Sequence, residues 1–582
     1  MKTVSKKDFR FFWSEFFLCV FVSLFATCLI GGCGGSRMFV PPEPVPDDRR
    51  PVPESDEKEI NIYADNVDKL VSKQIGKLFD TSQHVRKAFG KPKQAYNVDA
   101  FGEVPNSSWF TNRNGSQCMT LEEISRGPNT GMGPDTSGTW KIFRAKAEGV
   151  TPGFSIEDKH GERYLIKFDP KGYSEMATGA EVVSTKLLHA AGYNVPENYI
   201  VYFHPRILRL GEKVKFTDKK GQTRFMTEVD LEELLGRIEY LPDGRIRAAA
   251  SKLLPGKTKG PFRYESTVKD DPNDFIPHQH RRELRALRVV AAWLNHYDTK
   301  ANNSLDVYTE EGYVKHYLID FGSTLGSQGN EPMPPFIGFE GSFDLFQILK
   351  QLCTFGFHIR PWEKADPIQY PSVGRFHNRD FNPQQYKFIL PNPAFQKMMK
   401  LDGYWGAKLV MSFTDEQIEA AVAQGQYSDP EAEAYLIQTL IERRDIIGRY
   451  WFRRVPSLDA FELENNSNGI QKLCFTDLAV ATGLESSDES RYRYRLKVLP
   501  GNNIISRYQD IGTTTCIPLP TPRKIVAELQ KGNSTLPSEW QLQVSLLVKR
   551  GNKEKWSTWI RVYLVIEEGV NEYSLLGIER EG

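Results

Sequence analysis

Apolar positions recur along this chain in two rhythms, and the change between them divides it. Met176, Ala180, Val183, Leu187 and Ala191 repeat at steps of three and four, which predicts a helix with one buried face. Gly192 follows the last periodic position and Pro196 lies just beyond, so the helix is expected to stop there. Leu284, Leu287, Ala291 and Leu294 predict a second helix over 282–294, and further helices are expected over 415–424 and 430–451. Strands are predicted at 140–144, 154–156, 163–168 and 198–203, with a loop at Gly149–Gly153 and a hairpin turn at Asp158–Gly161. Strands first and helices later describe two lobes with a cleft between them. Arg209 to Asp271 reads as a polar insertion, 60–89 as helical, and Gly102 to Thr111 as a packed lead-in.

Beyond residue 456 the period becomes two. Tyr492, Tyr494, Leu496 and Val498 alternate with polar residues, as do Leu542, Val544, Leu546 and Val548, and then Ile560, Val562, Leu564 and Ile566. This predicts an all-β, sandwich-like C-terminal domain over 456–582. The expected fold class is α+β, with a lead-in over 59–139 and the two-lobed domain over 140–455.

Composition changes the picture at the N-terminus. Lys2, Lys6, Lys7 and Arg10 precede an uncharged run from Phe16 to Ile30, the arrangement of a signal peptide. The run is shorter than the roughly 20 apolar residues a spanning helix needs. Leu29-Ile30-Gly31-Gly32-Cys33 resembles the bacterial lipobox, which implies cleavage ahead of Cys33 and a lipid such as palmitate on it; a plain secretory site with a chance Cys is the alternative. Residues 34–58, rich in Pro, Asp, Glu and Arg, read as an extended tether. The expected location is the cell envelope, as a lipoprotein anchored to a membrane through residues 1–33, in the outer membrane or facing the periplasm. With 75 basic and 74 acidic residues, no global field points to nucleic acid as a partner. Outside the leader and Cys33, Cys118, Cys353, Cys474 and Cys516 are compatible with disulfides or with free thiols. No CxxC is present and no zinc site is expected.

The chemistry gathers after the second strong helix. Trp293 to Asp298 leaves that helix for a loop, Asn303 follows Asp298 by five residues, and Tyr317-Leu318-Ile319 is a strand delivering Asp320. Phosphoryl transfer needs these residue types: a carboxylate to orient or deprotonate the acceptor hydroxyl, oxygens to hold magnesium against the phosphates, and a lysine to neutralise developing charge. Asp298, Asn303 and Asp320 supply the oxygens, and Lys300 can reach the transferred group. Singly, each could be a loop cap or a turn. His296 reads as structural, and His278-Gln279-His280 as loop surface despite its metal-like spacing.

His296-Tyr297-Asp298-Thr299-Lys300-Ala301-Asn302-Asn303 resembles the catalytic loop of protein kinases, and Leu318-Ile319-Asp320-Phe321-Gly322 their metal-binding Asp-Phe-Gly motif. The resemblance implies ATP as donor, Asp298 as catalytic base, Lys300 beside the transferred group, and Asn303 with Asp320 holding magnesium, or manganese in its place. Tyr164-Leu165-Ile166-Lys167 is similar to the strand carrying the phosphate-binding lysine, with Glu181 its partner in the next helix and Glu175 the other candidate. Gly149 and Gly153 stand where the family's glycine-rich loop binds the nucleotide, but GxGxxG is missing and no Ala-Pro-Glu follows Asp320. Leu187 to Pro196 looks more like the atypical, HipA-type kinases. The likeness covers about 140–450. It implies a membrane-anchored, kinase-like phosphotransferase acting on an unidentified acceptor, with proteins among the candidates. ATP is scarce outside the cytoplasm, which keeps two alternatives open: nucleotidyl (AMP) transfer on the same fold, and a pseudokinase scaffold.

Overall fold

The computed structural model describes residues 37–60, 93–145, 153–217, 223–341, 350–355, 357, 359–364, 367–465, 470–501, 503–531, 539–551, 554–566 and 572–581. The leader, Cys33, Gly149 and most of the helix expected over 60–89 lie outside them. The chain is α+β. It forms two compact units, one spanning Pro42–Ser457 with Leu478–Leu484, the other Leu458–Asp477 and Glu485–Glu581 with the described residues 37–41.

The first unit opens with strands β1 (Trp140–Ala145), β2 (Gly153–Glu157) and β3 (Arg163–Phe168), helix α1 (Met176–Ala190), then β4 (Asn198–Phe203), β5 (Leu208–Leu210) and β6 (Ile246–Lys252). They make one six-stranded sheet in the order β4-β6-β3-β2-β1-β5, antiparallel except where β5 joins β1. Alternate side chains such as Trp140, Ile142, Phe154, Ile166 and Phe203 bury one face. Helix α1 stops where expected, because Gly192 takes φ +113°, a conformation costly for any residue with a Cβ.

Strand β6 corrects the reading of Arg209–Asp271 as a mere polar insertion, since it sits between β3 and β4 inside the sheet. Its core is Ala248-Ala249-Ala250, all buried. Alanine is a weak strand former and gives no alternation, so the pattern alone did not reveal it.

The helical half of the unit carries β7 (Lys257–Gly260), α2 (Arg282–Trp293), β8 (Ser304–Tyr308), β9 (Val314–Leu318), α3 (Lys400–Met411), α4 (Asp415–Ala423) and α5 (Pro430–Phe452). Strands β9-β8-β7 form a small sheet in that order. Thr414 caps α4 through a reciprocal pair with Gln417, and Asp429 caps α5 ahead of Pro430 at its first turn. Helix α3 is absent from the helices that the pattern predicts. Gly403 and Gly406 weaken its local signal, yet they let Trp451 and the Ala286 carbonyl pack directly on its backbone. Trp109 and Phe110 of the lead-in are buried in the same core. His278 is not loop surface: it is buried, with Nε2 at 2.8 Å from Asp274 and Nδ1 against the Arg263 carbonyl.

The segment expected as a free tether is seated in part. Val52 N–H donates to the Gly312 carbonyl, Lys58 N–H donates to the Lys259 carbonyl, and Glu54 pairs with Lys257 and Lys259. Lys58 Nζ lies 2.9 Å from the buried carboxylate of Asp306, which His316 also holds. Gly260 permits this strap, because a Cβ there would collide with the Lys58 carbonyl oxygen.

The second unit pairs two sheets. Strands β10 (Leu458–Asn465), β11 (Gln471–Asp477) and β15 (Cys516–Pro518) form one, in the order β10-β11-β15. The other runs β13 (Asn503–Ile504), β12 (Ser490–Leu499), β16 (Gln541–Arg550), β17 (Ile560–Ile566) and β18 (Tyr573–Arg580), with β14 (Gln509–Gly512) also on β12. Leu473 and Ile517 of the first sheet share a core with Leu496, Val544 and Val562 of the second. Helix α6 (Pro522–Lys531) adds Ile525 and Leu529 to that core. Cys474 and Cys516 face each other across β11 and β15 and form a disulfide, while Cys118 and Cys353 are exposed free thiols.

Candidate active site

The site is built where the first unit's sheet meets its helical half. Lys167 is the penultimate residue of β3 and only 6% exposed. Its Nζ donates to Glu181 Oε2 and to Asp320 Oδ1, each at 2.8 Å. Burial alone would lower the lysine pKa. The Asp320 and Glu181 carboxylates outweigh it and hold Lys167 above its ordinary value, firmly charged. Glu181, not Glu175, is therefore the partner. Gly153 lies opposite Lys167 in the β2–β3 register, which puts one of the two expected loop glycines beside the lysine.

Glu181 is positioned by residues that its own neighbourhood in sequence does not reveal. Asn198, at the start of β4 and fully buried, donates to Glu181 Oε1 at 3.3 Å and to Thr185 Oγ1 at 2.6 Å. The first turn of α1 is held from outside by Asp169, which accepts from the backbone N–H groups of Ala177 and Thr178. Arg247, on β6, lies 3.8 Å from Asp169 and donates to the carbonyls of Gly425 and Gln426. The orientation of Glu181 thus depends on strands far away in sequence.

The residues of the 298–303 loop close on one another. Lys300 Nζ lies 2.9 Å from Asp298 Oδ2, and Asn303 Nδ2 donates to the Asp298 carbonyl at 2.7 Å and to Oδ2 at 3.1 Å. Ile319 N–H donates to the Asn303 carbonyl, so the loop and the Asp320 turn are tied together. Asp320 adopts φ +66°, in the left-handed region that non-glycine residues avoid. Phe321 behind it is fully buried and meets the buried His296 edge to face at 5.8 Å. Burial lowers the His296 pKa, so a neutral imidazole packs and orients the loop, the structural part expected of it.

Lys167 and Asp320 line a cavity of about 840 Å³. Leu165 and Leu305 are apolar parts of its wall, and Leu253 and Leu254 follow directly from β6. That volume is ample for a nucleotide-sized ligand. Glu57, Lys58 and Glu59 of the strap also line it. No sequence motif marked them, because their place in the cleft depends on pairing with β7 some 200 residues later. Asn303 Oδ1 and the Asp320 carboxylate offer hard oxygens suited to a magnesium or manganese ion.

No protein-family model matches the chain, and no curated protein sequence does. Among solved structures it is similar to the crystal structure of the Golgi casein kinase, at 13% identity over 58% of this chain and 76% of that one, with a TM-score of 0.22. It is also similar to the crystal structure of the Golgi casein kinase with Mn/ADP bound, at 12% identity over 71% of this chain and 96% of that one, with a TM-score of 0.24.

Proposed function

We propose that the first unit is an ATP-dependent phosphotransferase of protein-kinase type. The observation that carries this reading is the single lysine, Lys167, shared by Glu181 and Asp320 at the edge of a nucleotide-sized cavity. A buried lysine charge of this kind needs carboxylates to be tolerated, and it stands ready to share that charge with a polyphosphate. Asp298 orients the acceptor hydroxyl and takes its proton as the new P–O bond forms and the bond from the γ-phosphorus to the bridging oxygen breaks, releasing ADP. Lys300, beside Asp298, neutralises charge on the transferring group. Asn303 and Asp320 would hold a divalent cation that screens the phosphates. Gly153, opposite Lys167 in the β2–β3 register, would be the loop glycine nearest the phosphate chain.

The Cys33 lipid anchor belongs to the same reading. The Cys474–Cys516 disulfide favours it, since disulfides persist in oxidising compartments such as the periplasm. Loss of lipid from Cys33→Ser, read by intact mass, tests it.

Activity is tested by incubating full-length protein with magnesium or manganese and ATP labelled at the γ or the α phosphate. Transfer of γ label, lost in Asp298→Asn while nucleotide binding persists, is expected. Transfer of α label would reassign the site to nucleotidyl transfer, and absence of nucleotide binding would make the unit a scaffold.

A further inference from the structure

The second unit carries a sheet face on which cations outnumber carboxylates: Asp510 lies opposite Arg493 and Glu579 opposite Arg561 in the strand registers. Tyr492, Tyr494, Leu496 and Val498 of β12 point into the core, so Arg491, Arg493, Arg495 and Lys497 occupy its other face. In the β12–β16 register Arg491 lies opposite Lys549 and Arg495 opposite Ser545, which in turn faces Arg561 of β17. Six basic residues thus share one side of three adjacent strands.

Aromatic rings cover three of these cations, Arg493, Arg495 and Arg561. Arg493 lies 4.6 Å from the centre of the Tyr508 ring and 4.3 Å from that of Trp556; Arg561 lies 3.6 Å from the centre of Trp559. The Nε atoms of Arg493, Arg495 and Arg561 are buried without a hydrogen-bond partner. Among the described residues Arg561 reaches Glu579 at 3.7 Å, and neither Arg493 nor Arg495 forms an ion pair. Burial and then the charges of Arg495 and Arg561 push the Lys497 pKa down, the mark of a locally positive field.

The chain emerging from the leader lies on this same face. The Phe39 ring stacks on Tyr563 at 4.4 Å and 8°, and Phe39 exchanges two 2.8 Å backbone hydrogen bonds with the Gln541 amide. Tyr563 belongs to the face, opposite Gln543 of β16. Cys33 precedes Phe39 by six residues. Six extended residues reach at most about 20 Å, so a lipid on Cys33 would bring the bilayer surface close to these arginines.

We infer that this basic, aromatic face of the C-terminal unit is a membrane-facing surface that binds the phosphate headgroups of anionic phospholipids. The inference rests on the reading of residues 1–33 as a membrane-directed leader. A basic patch beside such an anchor adds about 1 kcal/mol of attraction to an anionic leaflet for each Lys or Arg near the surface. Tyr and Trp suit the headgroup layer because each presents an apolar body and a polar tip.

The test is partitioning of the full chain onto phosphatidylglycerol-containing vesicles and onto phosphatidylcholine vesicles, for wild type and for Arg491→Gln/Arg493→Gln/Arg495→Gln. Each basic residue near an anionic surface is worth about fivefold, so the triple variant should lose anionic selectivity by about 100-fold. Everything ahead of Phe39 is the same in both proteins and cancels. Lys549→Gln/Arg561→Gln should lose about 25-fold, which keeps the test decisive if the triple variant unfolds. Unchanged selectivity in folded variants overturns the inference. So does tight binding of soluble polyphosphate by a wild type that does not distinguish the two vesicles. Selectivity lost in the variants while mass spectrometry finds no lipid on Cys33 upholds the face and rejects only the anchor.

Discussion

Two regions, the cleft of the first unit and the outward face of β12 in the second, treat positive charge in opposite ways. In the first, Lys167 is buried between two carboxylates and Lys300 lies against a third. In the second, Arg493 and Arg495 lie against aromatic rings with no carboxylate within ion-pair distance among the described residues. A paired, buried cation is a fixed part of a cleft whose geometry exists before a ligand arrives. Arginines that face rings in place of carboxylates, as Arg493 and Arg495 do, would take a counter-charge from outside the protein. The first arrangement suits chemistry, which needs atoms placed in advance; the second suits adhesion.

That contrast can be broken by experiment, and the largest expected effect lies in the paired region. Lys167→Met leaves Glu181 and Asp320 without their shared cation. Breaking a buried pair costs about 3–5 kcal/mol, so the melting temperature should fall clearly, and phosphotransfer should drop at least about 100-fold. Arg495→Gln leaves no buried carboxylate behind, only the Tyr508 ring, and calorimetry should find the second unit's transition almost unmoved. Comparable destabilisation by both variants would erase the distinction.

A smaller effect is expected at the strap. Gly260→Ala pushes the Lys58 carbonyl off β7 and should loosen Glu57–Glu59 from the cleft wall. Nucleotide affinity, read by isothermal titration calorimetry, should weaken about tenfold, equivalent to ~1.4 kcal/mol. Unaltered affinity would mean the strap covers the sheet edge and contributes nothing to the cleft.

Lys186 supplies the smallest and most specific comparison, a cation buried in the first unit with a neutral partner. Its Nζ donates to the Arg126 carbonyl, and burial lowers its pKa to about 7 from the ordinary 10.5. Between those values the unfolded chain holds a proton that the folded one has shed, so stability rises with pH across that window. Lys186→Met should remove a slope of up to about 1.4 kcal/mol per pH unit, measured by denaturant titration at pH 7 to 10. A slope identical to wild type would show that Lys186 keeps its proton through ion pairing or water.

Much of the site was legible in the sequence because its parts are local. Asp298, Lys300 and Asn303 lie within one loop, Asp320 follows a short strand, and the periodicity of α1 selects the face from which Glu181 reaches Lys167. What remained hidden depends on chain distant in sequence. Asn198 orients Glu181 from another strand, Arg247 reaches the C-terminal end of α4 from an alanine-rich strand without alternation, and the strap enters the cleft by pairing with β7. In the second unit, the alternation of β12 predicted which residues face inwards. It could not say which rings would cover the outward arginines, because Tyr508, Trp556 and Trp559 come from loops and strand ends.

The central claim is that Asp298, Lys167 and Asp320 belong to one phosphotransfer centre. The most direct measurement compares label transferred from γ-labelled and α-labelled ATP by wild type and Asp298→Asn, with nucleotide affinity recorded for both. The account predicts γ label alone, reduced about 1000-fold in the variant at near-equal affinity. Equal γ transfer by Asp298→Asn, or transfer of the α label, would contradict it.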